Sequence, residues 1–88
     1  MRVLLDTHAA LFAWVEPDRL PVGVQSIISN TQNELLFSQA SSIEITLKCK
    51  LGKLELPEPP KDYVRSRLQR FEMTYVHLDD EDVFGIAD

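Results

Sequence analysis

Residues 3–14, VLLDTHAALFAW, decide the fold of this 88-residue chain. The first apolar run ends at Asp6, and the residues from Thr7 to Val15 are again mostly apolar, up to a nearby proline. An unbroken apolar run is typical of a strand that is buried on both faces of a parallel sheet. The stretch therefore predicts a buried strand over Arg2–Leu5 that passes directly into a helix, with an aspartate at the junction.

The alternation of strand and helix continues along the chain. A second strand is predicted over Glu34–Ser38, and the helix that follows carries Ile43, Leu47 and Leu51 at intervals of four residues and ends at Gly52. The other predicted elements are a helix that opens at Pro21, a helix over 62–71, a strand over 73–78 and a helix that begins in the acidic run 79–82. This order predicts an α/β fold with a parallel sheet covered by helices.

Length and composition predict one small globular domain. The 88 residues are 44% hydrophobic and 26% charged. No apolar run reaches the roughly 18 residues that a membrane-spanning helix needs, and the N-terminus lacks the pattern of a secretory signal. We therefore expect a cytoplasmic protein without a membrane partner. A chain of this size buries a modest fraction of its surface, which favours self-association.

The charge distribution is uneven. The net charge of −5 argues against a purely electrostatic nucleic-acid binder. Residues 48–70, however, hold three acidic side chains and seven basic ones: Lys48, Lys50, Lys53, Lys61, Arg65, Arg67 and Arg70. This segment could form a side that faces phosphates, although a solvated helix surface explains the same run.

Two carboxylates are the candidate chemical groups. Asp6 follows the first predicted strand, and Glu44 lies one turn into the helix after the second strand. Polar ligands of parallel α/β sheets gather at the carboxyl ends of the strands, so both side chains are expected at one edge. Two converging carboxylates favour a shared hard cation, Mg²⁺ or Mn²⁺, which could activate water against a phosphodiester.

Structural roles account for the same residues. Asp6 is a good N-cap for the first helix. Ser41 and Glu44 match the S-x-x-E capping box, in which the glutamate bonds back to the cap residue. Glu44 and Lys48 are also spaced for an ion pair along a helix. The residue types alone leave the capping and the metal-binding interpretations equally open.

Other chemistries find little support in the sequence. The three glycines are isolated, so no phosphate-binding glycine loop is present, and the G-x-S-x-G motif of serine hydrolases is missing. Cys49 has no second cysteine for a disulfide, and its spacing from His8 and His77 matches no zinc site.

The motifs together resemble those of a known family. LLDTHAALFAW at 4–14 and SQASSIEITLKCKLGKLELP at 38–57, which contains S-x-x-S-x-x-E-[IV]-x-x-K and then G-K-L, are similar to PIN domains and most similar to the VapC-type toxins of prokaryotic toxin–antitoxin pairs. The similarity extends over essentially the whole chain, residues 1–88, as one PIN-like domain.

The resemblance implies a three-layer α/β/α fold and a metal-dependent endoribonuclease. Asp6 and Glu44 match the first two acids that bind Mg²⁺ or Mn²⁺ and act in catalysis. Thr7, Ser38 and Lys48 match residues that support them. The implied partners are an RNA substrate, a cognate antitoxin protein and a second copy of the chain in a homodimer.

One segment of the family pattern is not matched. Family members continue with a segment resembling H-x-D-P-F-D-R that provides a third acid, and Asp88 lacks this context. The sequence therefore predicts a fold that is incomplete at its C-terminus. It leaves two alternatives to the nuclease: an inactive remnant that acts only through protein contacts, and an α/β domain whose acids only cap helices.

Overall fold

The computed structural model describes residues 1–79, which form a parallel sheet with helices in the two crossovers. The strands, in sheet order, are β1 (Arg2–Leu5), β2 (Glu34–Ser38) and β3 (Thr74–Val76). Helices α1 (Thr7–Val15) and α2 (Val22–Ser29) connect β1 to β2, and α3 (Gln39–Lys50) and α4 (Pro60–Arg70) connect β2 to β3. A short 3₁₀ turn, Pro17–Arg19, lies between α1 and α2.

This architecture confirms the predicted α/β class with a central parallel sheet. The predicted bounds of β1, α1 and β2 are those observed. Helix α4 begins at Pro60, two residues before the predicted start, because proline is well suited to the first turn of a helix. The helix predicted from the acidic run at 79–82 lies outside the described residues.

The core lies between the sheet and the helices on one of its faces. Leu5, Leu35 and Phe37 point into this core, and Phe37 is fully buried. On the opposite face Leu4 is exposed and Leu36 is half-buried. Right-handed crossovers that advance in one direction across a sheet place their helices on the same face, which explains this asymmetry.

Aromatic side chains form the centre of the core. The Trp14 ring lies 5.2 Å from the Phe37 ring and 6.1 Å, edge to face, from the Tyr63 ring. Such tilted and edge-to-face pairs stabilise a core beyond the area they bury. Trp14 is buried within the monomer, with 9% of its surface exposed.

Helix α3 has well-defined ends. Its N-cap is Ser38, whose Oγ accepts a hydrogen bond from the amide of Ala40 at 3.1 Å. The capping box proposed for Ser41 and Glu44 is therefore wrong, because Ser41 already lies inside the helix. At the other end Gly52 adopts a φ of 73°, and its amide donates to the carbonyl of Cys49 while the Lys53 amide donates to that of Lys48. This Schellman motif needs the positive φ that glycine adopts without strain.

The apolar stripe that helped to predict α3 is exposed. Ile43, Leu47 and Leu51 retain more than half of their accessible surface, whereas Ile45 is fully buried. The four-residue spacing correctly predicted a helix but did not indicate which side faces the core. This stripe is therefore a surface feature of the described chain.

No helix among residues 1–79 has the length and apolar character that crossing a membrane requires.

Two isoleucines on α3 test this assignment of faces. Replacing the fully buried Ile45 with alanine is expected to lower the free energy of unfolding by about 2–5 kcal/mol, because it removes packed methyl groups and leaves a cavity. The matched variant Ile43→Ala is expected to change it by no more than about 0.5 kcal/mol, because that side chain is 53% exposed. Urea unfolding followed by circular dichroism measures both, and equal losses would contradict the assignment.

Candidate active site

The carboxyl ends of the strands bring several predicted site residues to one edge of the sheet. Leu5 pairs with Phe37 in the parallel register, so Asp6 and Ser38 each lie one residue beyond that pair. Ser38 pairs in turn with Val76 at the end of β3. Parallel pairing requires the three strands to end on the same side. Asp6 and Ser38 therefore share this edge.

Asp6 caps α1. Its Oδ1 accepts a hydrogen bond from the amide of Ala9 at 2.7 Å, and its backbone is extended, as expected of an N-cap residue. Asp6 is therefore the N-cap of α1, and this role uses one of its two carboxylate oxygens. The side chain is exposed, so capping does not prevent Asp6 from binding a ligand through its second oxygen.

Glu44 lies on the side of α3 that faces the start of α1. Its Oε2 accepts a hydrogen bond from Lys48 Nζ at 2.9 Å, in the predicted ion pair, and both side chains are partly exposed. The hydrogen bond from Lys48 lowers the pKa of Glu44 below its ordinary value, with smaller lowering contributions from the Lys48 charge, a hydrogen bond with Thr7 and the charge of His8. Partial desolvation opposes the shift. Glu44 is accordingly an ionised carboxylate at neutral pH.

Thr7 and Ser41 connect α1 to α3 at this position. The Thr7 hydroxyl donates to Ser41 Oγ at 2.9 Å, and both residues are buried. Thr7 follows Asp6 in the chain, and Ser41 precedes Glu44 by about one helical turn. The role of Ser41 in this contact was not predicted from the sequence, which indicated only a helix cap.

The remaining predicted residues have clear structural contacts. Ser38 caps α3, as described above, and Lys48 pairs with Glu44. Thr7, through its hydrogen bond with Ser41, is the predicted residue that links α1 to α3.

The chemistry of the two carboxylates fits a hard divalent cation. Mg²⁺ is commonly held by one or two carboxylates together with several water molecules, and Mn²⁺ has similar ligand preferences. Asp6 and the ionised Glu44 provide oxygen donors of this type. Within the described part of the chain, however, no three His, Cys, Asp or Glu side chains are grouped so that they could hold a metal ion. A site made from this pair alone is expected to bind the ion weakly.

A cleft of about 750 Å³ opens beyond the sheet edge, between α3, α4 and the end of β3. The titratable side chains that line it among the described residues are Lys61, Arg65, His77 and the phenol Tyr75, and none of them is a carboxylate. Lys61 and Arg65 are exposed and have no ion pair within residues 1–79. The basic run noted in the sequence was the signal for this cleft, but only the packing of α4 shows which of the basic residues line it.

A second cavity of about 580 Å³ lies along α1 and the segment before α4. Apolar side chains dominate it, including Leu11, Trp14 and Leu56, and His8 and Arg67 lie among its polar residues. The indole Nε1 of Trp14 is buried and has no hydrogen-bond partner in the described part of the protein. Buried donors usually have a partner, so this group is an exception in the core.

The Glu44–Lys48 pair allows a prediction about the pKa of Glu44 and about the pH dependence of stability. Lys48→Met is expected to raise the pKa of Glu44, because it removes the hydrogen bond and the charge that favour the ionised form. A lowered carboxyl pKa stabilises the fold above the unfolded-state pKa, and this contribution is lost as the pH falls through the folded-state value. The stability advantage of the wild type over Lys48→Met should therefore disappear in acid.

A carbon-detected NMR titration of the Glu44 carboxyl, without added metal, measures this pKa directly. Lys50→Met is the matched control, because Lys50 is exposed and has no ion pair among residues 1–79. An unchanged Glu44 pKa in Lys48→Met would contradict the assigned cause.

Comparison with known proteins agrees with the motif resemblance. The chain is 41% identical to Ribonuclease VapC16 of Mycobacterium tuberculosis over 46 residues, which cover 52% of this chain and 33% of that protein. No family model matches the chain, and no solved structure does. The match thus spans about a third of the length of the relative. The resemblance of this chain to the VapC-type proteins of the PIN-domain family is confirmed over about half of its sequence.

Proposed function

We propose that this chain is a VapC-like, metal-dependent endoribonuclease domain that hydrolyses RNA phosphodiesters. The observation that carries the proposal is the position of Glu44. The residue one helical turn before it, Ser41, accepts a hydrogen bond from Thr7 at 2.9 Å, and Thr7 is the residue next to Asp6 at the carboxyl edge of the sheet. The partial similarity to a protein named as a VapC ribonuclease supports the same activity.

Asp6 and Glu44 are proposed to hold Mg²⁺ or Mn²⁺. When bound, the ion would neutralise charge on the phosphate and activate a water molecule. The protein's own residues position these two carboxylates. The cap to Ala9 orients Asp6, and the hydrogen bonds from Lys48 and Thr7 keep Glu44 ionised at the same edge. Ser38, as the cap of α3, sets the direction of the helix that carries Glu44.

The basic cleft on the α4 side of α3 is proposed as a surface that binds the RNA substrate. Lys61 and Arg65 provide positive charge at its rim, and Tyr75 with His77 provides ring surfaces, 4.8 Å apart between centroids, near which a base could bind. Lysine and arginine contacts to phosphates supply most of the non-specific affinity for nucleic acids. This local charge offsets the acidic character of the whole chain.

Protein partners are proposed from the exposed apolar surfaces. The α3 stripe of Ile43, Leu47 and Leu51 is suited to the homodimer that the family resemblance implies. The apolar cavity beside Trp14 is suited to a segment of a cognate antitoxin. An RNA-cleaving toxin and its antitoxin would act in the cytoplasm, which is the compartment expected from the sequence.

A second candidate function is protein binding without catalysis. It is favoured by the lack of a third metal-binding side chain near Asp6 and Glu44 among residues 1–79, and by the apolar cavity along α1. The two functions differ in their dependence on the Asp6 charge. Catalysis requires that charge, whereas binding at the cavity does not.

Asp6→Asn tests the nuclease. Asparagine caps a helix about as well as aspartate, so the variant should fold normally while losing the negative charge. Cleavage of a labelled RNA in Mg²⁺ or Mn²⁺ is expected to fall at least about 100-fold, because loss of even an outer partner of a metal ligand typically costs 10–100-fold. The matched control Asp18→Asn changes an exposed aspartate in the 3₁₀ turn and should retain activity. Cleavage that persists in Asp6→Asn and in EDTA would refute the proposed chemistry, and a folded wild type without cleavage would favour the protein-binding alternative.

The basic cleft is tested by charge-matched variants. The double variant Lys61→Gln/Arg65→Gln and the control Lys50→Gln/Lys53→Gln each remove two positive charges, but only the first removes charges at the cleft. In the Asp6→Asn background, fluorescence anisotropy should show weaker RNA binding for the cleft variant. The dependence of log affinity on log salt should also be shallower by about 1 for each lost phosphate contact. Equal effects of the two variants would indicate general electrostatics instead of the cleft.

A further inference from the structure

The basic cleft has an aromatic wall whose position is fixed by contacts with the rest of the protein. Tyr75 lines the cleft, and its hydroxyl donates to Ser42 Oγ on α3 at 2.9 Å. The Tyr75 ring lies nearly parallel to the buried ring of Phe37, 6.3 Å away, and edge to face with the ring of His77. The wall is therefore in place before a ligand binds, which lowers the entropic cost of binding.

The contact between the two hydroxyls leaves one hydrogen-bond donor unused. Tyr75 and Ser42 have one hydroxyl hydrogen each, and their mutual bond uses one of the two. Because Tyr75 donates, the hydrogen that remains is that of Ser42, and it has no acceptor among residues 1–79. Ser42 also lines the cleft, so this donor is available there.

Gln39, the first residue of α3, adds donors to the same wall. Its Oε1 accepts a hydrogen bond from the Leu78 amide at 3.0 Å. A backbone N–H can only donate, so the amide atom that faces it is the oxygen, and the Nε2 group has no partner in the described part of the chain. Gln39 and Ser42 are three residues apart, which makes their side chains neighbours on one helix face, and both line the cleft.

We propose that Gln39 and Ser42 are specificity-determining residues that select an unpaired guanine of the RNA substrate. Guanine presents two neighbouring acceptors, N7 and O6, whereas adenine has a donor, its N6 amino group, in place of O6. Two donors on one helix face therefore match guanine and leave one donor unmatched on adenine. The selection of guanine rests on the proposed ribonuclease function and adds to it the identity of one base.

The rest of the cleft fits one nucleotide of a single strand. Its volume of about 750 Å³ lies in the range of small-ligand sites, and Val64 and Leu68 contribute apolar surface to its lining. Lys61 and Arg65 on α4 provide positive charge for the adjacent phosphates. In an A-form duplex the N7 and O6 atoms lie in a deep, narrow groove that side chains do not read, so the guanine has to be unpaired.

Fluorescence anisotropy with labelled RNA pentamers tests the base preference. The full chain carrying Asp6→Asn is used, because it is expected to bind RNA without cleaving it. The pentamer UUGUU is expected to bind at least about fivefold more tightly than UUAUU, which is the lower end of the discrimination given by a two-bond contact to a base. Equal affinities would overturn the proposal.

Competition with GMP separates a guanine in RNA from a free guanine nucleotide. GMP is expected to compete more weakly than unlabelled UUGUU, because only the strand has phosphates on both sides of the guanine. Competition of equal strength would assign the cleft to a free nucleotide and overturn its role in RNA recognition.

Gln39→Glu tests the proposed donor in the protein. Glutamate keeps an acceptor for the Leu78 amide but loses both N–H donors. The preference for UUGUU over UUAUU is therefore expected to fall to about twofold or less. The matched control Gln69→Glu adds the same charge at an exposed position of α4 outside the cleft lining, and it should retain the preference. A Gln39→Glu variant that keeps the full preference would overturn the role of Gln39.

Inosine provides a test that needs no substitution at the cleft. It has the N7 and O6 acceptors of guanine but lacks the exocyclic amino group, so UUIUU is expected to bind within about twofold of UUGUU. Binding as weak as that of UUAUU would overturn the proposed contact to N7 and O6.

The outcomes distinguish the base preference from the function on which it rests. A wild type that cleaves RNA, together with equal binding of UUGUU and UUAUU, overturns the selection of guanine and leaves the ribonuclease intact. A folded wild type that neither binds nor cleaves RNA overturns both.

Discussion

The parallel register that aligns Leu5, Phe37 and Tyr75 across the sheet is the constraint on which the rest of the structure depends. It buries Phe37 completely beneath Trp14 and ends all three strands on one side. Parallel neighbours cannot be joined by a tight turn, so each pair needs a long crossover. The first helix of each crossover, α1 or α3, then starts at the same edge, and its first residues line any site there.

Helix starts are where this fold combines structural and chemical roles. Asp6 and Ser38 each accept a hydrogen bond from a backbone amide in the first turn of the helix that follows. Such amides are unpaired within the helix and need an acceptor. Capping and ligand binding are therefore compatible uses of the same edge, because a carboxylate has two oxygens and the cap of α1 uses one of them. The role of Asp6 as a cap therefore does not rule out a role as a ligand.

The described residues leave two apolar surfaces uncovered. One is the sheet face that carries Leu4, and the other is the α3 stripe formed by Ile43, Leu47 and Leu51. Single exposed apolar residues are ordinary on protein surfaces, but a row of three on one helix face is a feature of interaction sites. The sheet face has the additional polar contacts of Glu34 with Arg2 and Thr74, so it is less uniformly apolar than the stripe.

The sequence by itself determined the elements, because their signals are local. The apolar run before Asp6, the proline and glycine boundaries and the helical spacing predicted β1, α1, β2 and the end of α3 at Gly52. The candidate acids were also identified from the sequence, since the family motifs contain them. What remained ambiguous was the side of each helix that faces the core, because a four-residue spacing is compatible with either an inward or an outward stripe.

Only the tertiary structure decided which side chains meet. It placed Ile45 in the core and Ile43 on the surface, although both are isoleucines two positions apart. In the structure, Ser41 hydrogen-bonds with Thr7 and does not form a capping box. Of the seven basic residues in the segment 48–70, Lys61 and Arg65 lie at the rim of the cleft. These outcomes depend on the packing of α1 and α4 against α3. This packing joins residues as far apart in the chain as Thr7 and Ser41, which are separated by 34 positions, and no local pattern specifies contacts over such a distance.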